Sequence, residues 1–229
     1  LKRNLALLFT SITLIFGASI LIWISTFKVP TTESIRERRV TESTKIYDRT
    51  GEILLYDTGG NVRRSIVPIG EISPNIKNAT IAIEDKEFYS HIGVKPTAFL
   101  RAILVNILTL NFSQGGSTIT QQVVKNSILT NNKDISRKLK EWVLAIKLEQ
   151  VSTKEEILSM YLNEIPYGGV IYGVEEASES FFGKKASEVS LSEAAYLAAL
   201  PKAPSFYSPY GPNKDKLDER KNLVLAEML

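Results

Sequence analysis

The 229-residue sequence contains no cysteine and a single histidine, His91. Thiolate nucleophiles, disulfide frameworks, zinc clusters and any centre built on two histidines are therefore excluded. Whatever chemistry the chain performs runs on carboxylates, hydroxyls, amides and cations. The absence of cysteine does not assign a redox compartment, because it suits either side of a membrane. Excess charge is also lacking, since 28 basic against 25 acidic residues leave a formal net charge of +3. That is too little to argue for nucleic acid as a partner, and it is compatible with a modest attraction to anionic lipid. Internal repeats and low-complexity tracts are absent too. The length leaves room for one large domain or two small ones with a sizeable core.

A long apolar run is present. No charged residue occurs from Leu5 to Phe27, a stretch long enough to cross the roughly 30 Å hydrocarbon core as a helix. Trp23 suits the interface near its end, and the run continues to Lys28 without the small-x-small site of a cleaved signal peptide. Residues 1–28 are therefore expected to form an uncleaved transmembrane signal anchor. Lys2 and Arg3 precede it while Lys28, Arg36, Arg38 and Arg39 follow it, so positive charge alone does not orient the span. Residues 29–43 read as a polar juxtamembrane linker. Next, KIYD (45–48), EILLY (52–56) and VRRSIVP (62–68), separated by glycine turns, predict a small N-terminal β-meander. From Pro74 onward the periodicity is helical, with breaks at Gly93, Gly115-Gly116, Pro166 to Gly169, Gly183 and Pro201 to Pro212, so the fold class is mainly α. The start at Leu1 and the end at Leu229, inside the amphipathic LDERKNLVLAEML, suggest a fragment of a longer protein.

Three polar segments are candidates for chemistry. IEDKEFYSHIG (83–93) gathers Glu84, Asp85, Glu87 and His91 beside Phe88 and Tyr89. A carboxylate with an apolar flank can serve as a proton acceptor for an alcohol; the alternative is a solvated helix face. QGGSTITQQVVK (114–125) opens a helix with paired glycines and then sets Ser117, Thr118, Thr120, Gln121, Gln122 and Lys125. Free N–H groups with hydroxyls and a lysine nearby suit a phosphate or pyrophosphate, while the plainer reading is a turn with Ser117 as N-cap. In DISRKLKEWVLAIKLE (134–149), Ile135, Leu139, Trp142, Val143 and Ile146 share one face and read as core. Arg137 and Lys138 lie four and three residues before Glu141, which fits surface ion pairing or cations beside a leaving phosphate. PTAFLRAILVNILTLNF (96–112) is apolar nearly all round, either a buried helix or a segment dipping into the membrane interface. STKEEILSMYLNEIPYGG (152–169) reads as a helix capped by Ser152 or Thr153, with Asn163 and Glu164 at its end.

The order and spacing of these segments resemble the peptidoglycan glycosyltransferases, found in class A penicillin-binding proteins and as monofunctional enzymes. EDKEFYSHIG is similar to that family's first motif, GGSTITQQVVK to its second, RKLKE to its third, KEEILSMYLNEI to its fourth and ERKNLVL to its fifth; LSEAAYLAALPKAPS is similar to the connecting stretch. The resemblance covers roughly Thr44 to Leu229 and makes residues 44–229 one glycosyltransferase domain. It implies a lysozyme-like helical fold on the extracytoplasmic side of the bacterial cytoplasmic membrane, carried by one transmembrane helix. There it would polymerise lipid II into β-1,4 glycan strands, with inversion at the anomeric carbon and release of undecaprenyl pyrophosphate.

Carried over by position, Glu84 would be the general base on the acceptor 4-hydroxyl, and Glu141 would sit near the leaving pyrophosphate with Lys125, Arg137 and Lys138. Asp85, Phe88, His91, Ser117, Thr118, Gln121, Gln122 and Asn163 match motif positions that shape the cleft or hold substrate. The implied partners are lipid II, the growing glycan, the membrane and other cell-wall synthesis proteins. No fixed metal is demanded, although a divalent cation such as Mg2+ is compatible with the pyrophosphate. The fifth motif departs from the family in having Lys221 after Arg220 where two arginines are usual, which keeps charge and loses bidentate geometry. The fourth has Ser159-Met160 where an acidic residue is common. The S-x-x-K nucleophile motif of a transpeptidase occurs only at Ser25 to Lys28, in the anchor, so these residues hold no such domain. Two competing readings are a membrane-bound lytic glycosidase of the same fold, in which a glutamate protonates a glycosidic oxygen, and a non-catalytic recruitment module.

Overall fold

The structure, a computed structural model, describes residues 2–26, 44–50, 54–57, 62–97, 116–127 and 135–229. Helix α1 (Lys2–Ser25) is followed by strands β1 (Lys45–Tyr47), β2 (Leu54–Asp57) and β3 (Arg63–Arg64), then α2 (Pro74–Glu84). Next come α3 (Ile119–Ser127), α4 (Ile135–Val151) and α5 (Lys154–Glu164), the strands β4 (Pro166–Gly168) and β5 (Ile171–Tyr172), and α6 (Val174–Phe182), α7 (Leu191–Ala199) and α8 (Lys214–Glu227). The expected mainly α class holds. The apolar 96–112 segment lies almost wholly outside the described residues.

The helix boundaries follow from local chemistry. Ser73 caps α2 by accepting from the Asn75 N–H, with Pro74 at the first helical position, where its missing donor costs nothing. Thr153, rather than Ser152, caps α5 in a reciprocal box with Glu156, and Ser190 caps α7 in the same way with Glu193. Gly183 ends α6 in the left-handed conformation at φ 64°.

Two packed groups make the core. α7 lies against α2 and α8, while α3 lies against α4 and α5. Ile76, Ala79, Leu197 and Ala198 fill the first group, and Ile119, Val123, Val124, Leu148, Ile157 and Leu158 the second. Burial of this apolar surface is the main favourable contribution to folding.

Two expectations are corrected. The three N-terminal strands do not form a meander. β1 and β2 pair as an antiparallel hairpin, but β3 leaves it and pairs in parallel with β5, placing Arg63 opposite Ile171 and Arg64 opposite Tyr172. One carboxylate ties both pieces to α6: Glu176 at its start is fully buried and takes both the Lys45 ammonium of β1 at 2.7 Å and the Arg63 guanidinium of β3 at 2.8 Å. Burial opposes the Lys45 charge, yet Glu176 and Glu179 outweigh it and hold the ammonium above its ordinary pKa. The second correction concerns α4. Leu139 is exposed and Trp142, Val143 and Ile146 are half-buried, with Trp142 and Ile146 packed against the core and the Ile135 side chain outside the described set, while the inward face carries Glu141, Leu144, Ala145 and Leu148. Gly93 packs closely on this helix, where a Cβ would stand 2.7 Å from the Ala145 carbonyl oxygen.

Helix α1 has 24 residues, about 36 Å at 1.5 Å per residue. Several of its side chains lie outside the described set, and among the described residues no helix is long and apolar enough to cross a membrane.

Candidate functional site: two carboxylates joined through α3

α2 ends at Glu84 because Asp85 turns out of the helix, with φ −161° and ψ 75°. Neighbouring carboxylates therefore point into different surroundings. Glu84 retains 14% side-chain exposure whereas Asp85 keeps 1%. The Gln122 amide of α3 donates to Glu84 Oε2 at 2.7 Å, and the buried Arg220 guanidinium of α8 stands 3.6 Å from Oε1. Glu84 thus sits where the two helix groups meet. The phenols of Tyr161 and Tyr167 are pushed up, by burial first and by the negative charge of Glu84 second, so both stay neutral beside it. Lys202 is pushed down by burial and by Arg220, with Glu84 pulling the other way.

Asp85 and His91 are brought together as structural partners. Asp85 Oδ2 accepts from the Ile119 N–H at 3.1 Å and lies 2.7 Å from His91 Nε2. The Gly93 N–H donates to His91 Nδ1 at 3.0 Å, so in the neutral ring the proton sits on Nε2 and is donated to Asp85. This pair fastens the 85–93 loop to the first turn of α3. Phe88 is fully buried, edge-on to Tyr89 with ring centroids 5.2 Å apart. The Lys154 ammonium lies 4.7 Å above the Phe88 ring and donates to the His91 carbonyl at 2.7 Å.

The start of α3 corrects the expected cap. Thr118, not Ser117, accepts from the Gln121 N–H at 3.1 Å, while Gln121 Oε1 takes the Thr118 N–H at 2.8 Å. This reciprocal box commits Thr118 and Gln121 to holding the helix end, and the Thr118 hydroxyl also donates to the Gly93 carbonyl at 2.6 Å. Ser117 is left to accept from Lys138 at 2.9 Å. Lys138 also pairs with Glu141, which is only 2% exposed. A chain of contacts therefore runs from Glu84 through Gln122 and along α3 to Ser117, Lys138 and Glu141. Lys125 is exposed in the last turn of α3, and Arg137 is half-buried on α4.

Asn163 is placed elsewhere. It is buried, its Oδ1 accepts the Val67 N–H at 3.0 Å, and its amide donates to the carbonyls of Val67 and Ser159. These bonds use its polar atoms to pin residues 65–68 to α5, which fits a structural part rather than the substrate contact expected from its motif position.

The geometry supplies one partly exposed carboxylate steadied by an amide and a guanidinium, and a second, buried carboxylate under a lysine. The first suits proton abstraction; the second suits holding a cation that faces an anion. Among the described residues no group of three or more His, Asp or Glu side chains is gathered that could hold a metal ion. Sequence reasoning missed Arg220, Lys202, Tyr161 and Tyr167 as neighbours of Glu84. A signal for Arg220 existed: it lies in the stripe Leu217, Arg220, Val224 that α8 buries, where a cation needs a partner.

Comparison with known proteins places the chain. A family model described as Transglycosylase matches residues 51–229. Penicillin-binding protein 1A of Aquifex aeolicus is 43% identical over 209 residues, covering 89% of this chain and 28% of that protein. Penicillin-binding protein 1F of Bacillus subtilis is 43% identical over 189 residues, covering 81% and 26%. A crystal structure of penicillin-binding protein 1A from Haemophilus influenzae superposes with a TM-score of 0.45 at 26% identity, covering 83% of this chain and 19% of the other. The chain thus spans about a quarter of the length of the curated relatives it matches. With that family model over most of its length, this chain belongs to the transglycosylase family.

Proposed function

We propose that this chain is a peptidoglycan glycosyltransferase that polymerises lipid II. The observation that carries the reading is Glu84, partly exposed and held by Gln122 and Arg220 at the meeting of the two helix groups. In the proposed step Glu84 removes the proton from the acceptor sugar 4-hydroxyl. The freed oxygen attacks the anomeric carbon of the growing chain, a β-1,4 bond forms with inversion, and undecaprenyl pyrophosphate departs with the bonding electrons. Lys138, held in place by Glu141 and Ser117, takes up charge on the leaving group, with Lys125 and Arg137 as further cations. Asp85, Phe88, His91, Thr118 and Gln121 act one layer back, fixing the loop and helix that carry Glu84 and Gln122. A cationic second site of this kind favours polymerisation over glycosidic cleavage, which has no pyrophosphate to neutralise.

The proposed organisation is an anchor over residues 1–28, a linker over 29–43 and a lysozyme-like catalytic domain over 44–229. α1 would hold the chain as a single-pass protein of the bacterial cytoplasmic membrane, its domain outside, where the lipid tail of the substrate stays in the bilayer. Other cell-wall synthesis proteins are the proposed partners there. Incubating the chain with labelled lipid II in detergent and resolving the products on a gel tests the reading. Glycan polymer, suppressed by a phosphoglycolipid inhibitor such as moenomycin, is the expected result; folded protein that binds lipid II and makes no polymer would overturn it.

A further inference from the structure

A cavity of about 410 Å³ opens beside the β4–β5 turn, lined by Arg63, the backbone of Gly168 and Gly169, Ser205, Ser208 and Tyr210. This volume lies in the range of small-molecule sites, roughly 300–1,000 Å³. A second hollow, about 190 Å³, shares Phe181, Pro209 and Tyr210 with it. Tyr210 therefore borders both, and it is 79% exposed with its ring 6.2 Å from that of Phe181. Gly168 and Gly169 have φ of 120° and 55°, so side chains are disfavoured there and the backbone polar groups line the cavity directly.

The chemistry of the lining selects among ligands. Arg63, its cation, is committed to the buried Glu176 at 2.8 Å, which leaves the cavity poorly suited to a phosphate or carboxylate. The rest of the lining sets the apolar side chains of Val170, Ile171, Phe181 and Pro204 beside two serine hydroxyls and the backbone of two glycines. Aromatic faces beside hydroxyl and peptide groups match a neutral, polyhydroxylated ring that has one apolar face and a polar edge. Tyr167, whose phenol is pushed up first by burial and then by the charge of Glu84, also lines the cavity.

We propose that this cavity is a neutral-sugar subsite, with Tyr210 as its stacking platform, that holds an N-acetylated hexose unit of the glycan away from the reacting bond. The inference extends the function proposed above, but its binding arm does not depend on it. The probe is a soluble β-1,4-linked N-acetylglucosamine tetrasaccharide, which carries neither lipid nor pyrophosphate, titrated into the full chain in detergent and followed by ligand-observed NMR. The wild-type chain and Glu84→Gln are expected to bind it alike, while Tyr210→Ala weakens binding at least tenfold with an unchanged melting temperature. Ser205→Ala, which leaves the Ser208 hydroxyl on the Tyr210 N–H in place, is expected to weaken it two- to fivefold. Undiminished binding by Tyr210→Ala, no binding by the wild type at millimolar probe, or loss of binding in Glu84→Gln would each overturn the subsite. In a polymerisation assay Tyr210→Ala should give shorter chains than the wild type, and an unchanged length distribution would count against the subsite. Failure of the wild type to polymerise would overturn the proposed function and leave the tetrasaccharide result to decide the cavity.

Discussion

Glu84 and Asp85 are adjacent in sequence, yet one faces the meeting of two helix groups and the other is buried on the α3 N-terminus. Their acidic, aromatic surroundings were legible in the sequence; their division of labour was not, because it depends on where α2 stops. Ser117 and Thr118 show the same limit. Both are capable caps, and only the position of Lys138 decides that Ser117 serves the lysine while Thr118 serves the helix. A different carboxylate gives a test at this scale. Glu193 is held down to about 2, first by the Lys184 ammonium and then by the Ser190 N–H of its capping box. A depressed carboxylate stabilises the fold above its unfolded pKa, near 4.3, and that contribution is lost as pH falls towards the folded value. Glu193→Gln should therefore cost about 1 kcal/mol at pH 7, kept small because the pair is solvated. The gap from wild type should narrow as pH drops from about 4.5 to about 3, read from urea denaturation; a gap independent of pH would remove the ion pair from the account.

At the scale of elements, helix positions followed from periodicity and caps, since these are local. Faces and partners did not. α4 shows five apolar residues on one side in sequence, but the side it buries carries Glu141, Leu144, Ala145 and Leu148, and the close approach of Gly93 to the Ala145 backbone is a contact no local pattern encodes. β3 reads as the third strand of a meander and instead joins β5 more than a hundred residues away, with Arg63 paired to Glu176. Gly93 gives the sharpest test of this packing, for it combines φ 91° with that close approach. Gly93→Ala should destabilise the chain by about 2–4 kcal/mol and loosen the 85–93 loop, seen as faster amide exchange at Ile119. A loss below 0.5 kcal/mol would show that the loop docks on α4 differently.

At the scale of the whole molecule, the order of the motifs was the most legible feature, because order and spacing survive where individual residues carry little weight. The mainly α class and the transglycosylase family follow the same pattern. The site was legible as a list of motif residues rather than as an arrangement: Asn163 turned out to be a staple, and Arg220 entered because the stripe of α8 turns it inward beside Glu84. If α1 is the anchor, removing residues 1–28 should lower the fraction of protein sedimenting with lipid vesicles at least twofold, while unchanged sedimentation would assign membrane attachment to another segment. The central claim, that Glu84 is the base of a polymerising enzyme, is tested most directly by Glu84→Gln assayed with labelled lipid II beside the wild type. The account predicts loss of polymer by at least a hundredfold, with lipid II binding and melting temperature retained, since Gln still meets Gln122 and fills the same space. Polymer formed by the variant at a rate near that of the wild type would contradict it.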